Sequence, residues 1–78
     1  MTDEDRLQGF IDQAEAAYDR LYDAHSDLQA TSCYNDAKEN LHDAIALATK
    51  LGHTEKVMQL DERLAHIKAV FHSQFSSW

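Results

Sequence analysis

The stretch Thr2–Gln29, TDEDRLQGFIDQAEAAYDRLYDAHSDLQ, decides the fold class. With Leu7 at position a of a seven-residue frame, Ala14, Leu21 and Leu28 share that position, and Phe10, Ala17 and Ala24 occupy d. Ile11, Tyr18 and His25 lie beside this seam, so three positions in each heptad form the wide apolar stripe of a helix facing a core. Thr2 is placed to cap, and Asp3, Glu4 and Asp5 load the first turn, where the helix dipole favours negative charge. The pattern predicts one helix over about 3–29. The opposite face carries Asp12, Glu15, Asp19, Asp23 and Asp27 at spacings of three and four. Like charges so placed cost an isolated helix roughly 0.2–0.5 kcal/mol per pair. A face needed only for solubility would mix signs, and Arg20 is the one base between Asp12 and Asp27. These five acids are therefore the candidate surface for a basic partner.

Working outward, the frame lapses at Gln29–Ser32 and resumes at Tyr34. Thr31 and Ser32 are candidate caps, and a second helix is expected over about 33–51, with Tyr34, Ala37, Leu41, Ala44, Ile45, Ala48 and Leu51 inward. Gly52 sits where a left-handed cap ends a helix. A third helix is expected over about 54–74, with Val57, Leu60, Leu64, Ile67 and Phe71 as its seam. Short connections give an all-α, antiparallel up-down-up bundle of three helices in one domain, residues 1–78. The first helix would be the longest and would overhang the others. That overhang, together with the aromatic stripe of Phe71, Phe75 and Trp78, marks self-association, and a homodimer, as an expectation.

The segment Lys50–Val57, followed by Leu60, Arg63, Leu64 and Ile67, resembles the turn and second helix of a tetratricopeptide-type hairpin. The resemblance covers about a quarter of the chain. The family's small glycine falls at Ile45, its aromatic at Asp61 and its closing proline at Ala69, and no second copy follows at repeat spacing. What the resemblance implies is a protein-binding scaffold without catalytic residues.

Composition narrows the function. The chain has 78 residues and a formal net charge of −7, and the first thirty residues hold eight of the fourteen acids but two of the seven bases. Nucleic-acid backbones and anionic membranes both select clustered Lys and Arg, so neither is an expected partner. No apolar run is long enough to span a bilayer, no secretory signal opens the sequence, and Cys33 is alone, which together point to the cytoplasm. Glu39 and His42 have the Glu-x-x-His spacing of carboxylate-bridged metal bundles, and Glu62 and His66 are one turn apart. Metal binding on these pairs is the weaker alternative, since both lie outside the apolar seams. Cys33 has no base near it in sequence, glycine-rich phosphate loops and nucleophile motifs are missing, and a bundle this small is expected to leave little room for a pocket. The expectation is a non-enzymatic protein-interaction module needing no cofactor, with a structural self-associating bundle as the alternative.

Overall fold

Helix α1, Asp3–Tyr22, begins as its sequence dictates. The Thr2 hydroxyl accepts from the Asp5 N–H, and the Asp5 carboxylate accepts from the Thr2 N–H, both at 3.2 Å. This reciprocal capping box satisfies two helix-end donors at once. Leu7, Ala14, Ala17, Tyr18 and Leu21 are its buried positions.

The expected helix over 3–29 is divided. α1 stops at Tyr22, the Asp23 and Ala24 N–H groups turn back to the carbonyls of Arg20 and Leu21 respectively, and a new helix, α2, runs Asp27–Leu51. The restart is local chemistry: Ser26 takes extended backbone, and its hydroxyl accepts from the Gln29 N–H at 3.1 Å. The Gln29 side chain reaches back to accept from the His25 N–H at 2.8 Å. Ser26 and Gln29 thus work as a capping pair at Ser-x-x-Gln spacing, and that outcompetes continuation of the heptad frame. Leu28, assigned to the core by that frame, is 82% exposed, and His25 is exposed as well. The expected caps Thr31 and Ser32 are exposed residues inside α2, whose start lies at Asp27 and not near 33.

From Ala30 onward α2 buries Ala30, Tyr34, Ala37, Leu41, Ala44, Leu47 and Ala48. Leu47 thereby widens the expected stripe. The helix ends on Gly52, left-handed at φ 78°. The Gly52 N–H bonds the Thr49 carbonyl at 3.1 Å and the His53 N–H bonds that of Ala48 at 3.0 Å, a Schellman pattern that only a glycine adopts without strain. Helix α3, Thr54–Phe75, matches its expected span within a residue and buries Leu60, Leu64 and Ile67.

The computed structural model describes residues 2–75, with side chains for 2–73. Among these the fold is all-α, three helices joined by two short turns. α2 is the central element and packs against both neighbours, while the backbones of α1 and α3 approach each other closely at few positions. The molecule measures 40 × 22 × 13 Å, a shallow layer with α1 and α3 on either side of α2. α1 and α3 run parallel, since Glu4 meets His53, Glu15 meets Arg63 and Tyr18 meets His66 in the same order along both helices.

Two kinds of packing follow. Six alanines on α1 and α2 (Ala14, Ala17, Ala30, Ala37, Ala44 and Ala48) have no exposed surface and let those helices come close. The α1–α3 seam is bridged instead by long polar side chains. With α2 the longest helix, α1 has no overhang, and that ground for a homodimer is removed.

Candidate functional site

The acids of α1 divide into two groups. Asp5, Asp12 and Asp19 recur at seven-residue spacing on the side away from the buried stripe, and all three are exposed. Asp12 accepts from the Gln8 amide at 2.9 Å. Asp23 closes the helix, also exposed. Among the described residues none of Asp12, Asp19 and Asp23 pairs with a cation of its own molecule, the ion pairs there being Arg6–Asp3, His53–Glu4 and Arg63–Glu15.

Glu15 leaves the expected row. It turns into the α1–α3 seam and takes both Arg63 Nε at 2.9 Å and Arg63 Nη2 at 2.6 Å, a bidentate carboxylate–guanidinium pair. Both side chains keep over a third of their surface exposed, so the pair is worth about 1 kcal/mol after screening. Asp27 also leaves the row, because it opens α2, where the positive end of that helix favours it. The expected column of five is therefore three on α1 (Asp12, Asp19 and Asp23), extended toward the N-terminus by Asp5.

The seam that claims Glu15 is bridged by further polar groups. The Arg63 guanidinium lies over the Tyr18 ring, 4.7 Å from its centre. The Tyr18 hydroxyl is 2.7 Å from that of Tyr22 and 3.2 Å from His66 Nε2. The two tyrosine rings meet edge to face at 5.2 Å, a favourable aromatic geometry. Spacing alone puts Tyr18 beside the apolar seam and His66 in a candidate metal pair with Glu62. Nothing in the spacing of either helix reveals that they meet, because the contact depends on how α1 and α3 align across a gap of 48 positions.

Burial raises the Tyr18 phenol to about 12, and the hydrogen bond with Tyr22 and the charges of Tyr22 and Glu15 add to the effect against an opposing contribution from Arg63. Burial also raises Tyr34, which is stacked at 4.1 Å on Phe71 with the Lys38 ammonium over its ring. A phenol held neutral by folding contributes stability that is complete below the unfolded value of 10.0 and is lost as pH rises through about 12. Tyrosinate absorbance is expected to show the Tyr18 and Tyr34 steps above the ordinary range, with helix loss following the Tyr18 step. All three tyrosines titrating together at the ordinary value would contradict this burial.

The remaining candidates are scattered. Glu39, His42 and Glu62 are exposed, and His66 is held by Tyr18. Among the described residues no group of three or more histidine, cysteine or acidic side chains is gathered as a metal site would need. Phe71 is half-buried on Tyr34, while Trp78 and the side chain of Phe75 lie outside the described residues. Contrary to the expectation of little room, an open groove of about 620 Å³ lies between the N-terminal halves of α1 and α3, floored by Leu7 and Ile11 and walled by Glu4, His53, Lys56 and Gln59. It holds no buried polar side chain lacking a partner among the described residues. Among those residues no helix is long and apolar enough to cross a membrane.

Compared with protein-family models, with curated proteins and with solved structures, the chain finds no match in any of the three.

Proposed function

We propose that this chain is a small cytoplasmic protein-interaction module, an adaptor, regulator or inhibitor, that presents the outer face of α1 to a basic protein surface. The observation that supports the reading is the exposure of Asp12, Asp19 and Asp23 without an internal cation, although Arg20, Lys50, Lys56 and Lys68 are present and form no ion pair among the described residues. A chain selected only for solubility gains by pairing some of these charges. One that keeps them open retains a field that speeds encounter with a cationic partner. The structure reduces the predicted face to fewer residues, since Glu15 serves the α1–α3 seam and Asp27 belongs to α2.

Reversing Asp19 and Asp23 to lysine tests the reading. Both are exposed, so stability is expected to change by no more than about 0.5 kcal/mol. Partners captured from the native cell at low salt, read by mass spectrometry, are expected to be lost both at high salt and with the variant. A partner set that survives the reversal sinks the proposal.

A further inference from the structure

The hydroxyls at the end of α1 carry a chemistry that an acidic docking face does not use. Tyr22 is the last residue of α1 and 54% exposed, whereas Tyr18 and Tyr34 are 6% and 8% exposed. Its hydroxyl is 2.7 Å from Tyr18 Oη, which in turn is 3.2 Å from His66 Nε2. Both distances fall in the range that lets a base act on a nucleophile. A phenol has one proton and accepts through its lone pairs. With the neutral imidazole protonated at Nδ1, Nε2 accepts from Tyr18, and Tyr18 accepts from Tyr22. The three groups then form one directed path from an exposed hydroxyl to a base.

We propose that Tyr22 is an acyl-acceptor site, its phenol activated by proton relay through Tyr18 to His66. Tyr22 Oη forms a bond to the carbonyl carbon of an activated acyl donor such as a thioester. The bond from that carbon to its leaving group breaks, and the leaving group departs with the electron pair. The Tyr22 proton passes to Tyr18 Oη as the Tyr18 proton passes to His66 Nε2. Tyr18 finishes as a neutral phenol, and His66 returns its proton to water. The raised Tyr18 phenol suits this role, because a group that gives up its proton only at about 12 relays a proton without becoming a stored anion.

The surroundings select the donor. Asp19 lies one turn before Tyr22, and Asp23 follows it. Arg63, the nearby cation, is already taken by Glu15. A nucleoside triphosphate would enter against this field, and an uncharged activated acyl group would not. Tyr18 meets His66 from α1, with Tyr22 bonded to Tyr18 and Glu15 bonded to Arg63 beyond it; Glu62 and Arg63 lie one turn back on α3, and no α2 side chain bonds to His66 among the described residues.

The test treats the full chain with N-acetylimidazole and maps hydroxylamine-labile acetyl groups by peptide mass spectrometry, with circular dichroism to check each variant's fold. Tyr22 is expected to label ahead of Tyr18 and Tyr34, at a rate at least about tenfold above that in His66→Gln, which can hydrogen-bond but cannot take the proton. Tyr18→Phe, which keeps the buried ring, is expected to show the same drop. Should Tyr18→Phe misfold, His66→Gln at an exposed position carries the test. Equal rates in wild type and His66→Gln, or labile acetyl only at other residues, would overturn the proposal.

Discussion

Leu41→Ala is expected to remove about 2–5 kcal/mol of stability, the range for deleting a buried leucine side chain. Leu41 has no exposed surface and is among the largest fully buried side chains, with Leu21 and Ile67. It lies midway along α2, the helix that packs on both others. A domain of 78 residues has a total stability of roughly 4–12 kcal/mol at 0.05–0.15 kcal/mol per residue. The loss is then a large fraction of the whole, and the variant should be partly unfolded at physiological temperature. Urea unfolding followed by circular dichroism measures it. A cost below about 1 kcal/mol would mean that the helices close over the gap, and so that the core is looser than its burial implies.

Ala37→Leu tests the opposite kind of defect. Ala37 has no exposed surface, and alanines above and below it on α2 are equally buried. Three added carbons have no free volume to enter, so α1 and α2 must separate or a side chain must leave its preferred rotamer. Overpacking of this kind costs about 1–3 kcal/mol, occasionally more. Leucine is at least as hydrophobic as alanine and a good helix former, so neither transfer free energy nor propensity can explain a loss. A midpoint shift toward lower urea therefore reports overpacking, as helix separation or a strained rotamer. An unchanged or raised midpoint would show that the alanine-lined interface has room that the burial of Ala37 does not suggest.

Much of the fold was legible from residue spacing. The Thr2 cap, the Gly52 stop and the Leu60–Leu64–Ile67 seam stand where their chemistry places them. The break after Tyr22 was also written in the sequence, as Ser26 followed three residues later by Gln29. The heptad frame, which Leu28 continues in spacing, points the other way. A periodic pattern reports which face would be apolar if the helix continued, but says nothing about whether it does. The capping pair settles that, and Leu28 at 82% exposed shows that one matching residue does not prove burial. The acidic face was only partly legible. Asp12, Asp19 and Asp23 are exposed as expected, but Glu15 turned on the meeting of α1 with Arg63, 48 positions away. Tyr18 and His66 were each visible as residues and invisible as a pair for the same reason. Contacts within a helix follow from counting, whereas contacts between α1 and α3 follow from alignment, which α2 imposes.

Among the described residues the helices number three, so one peptide dipole is left uncancelled along the long axis. Two amino ends, those of α1 and α3, share one pole, and α2 begins at the other. The shared pole is the one that carries Asp3, Glu4, Asp5 and Glu55 in its first turns. Those carboxylates offset the backbone polarity that these three rods leave at one end, so part of the negative charge of α1 and α3 answers the arrangement of the helices themselves.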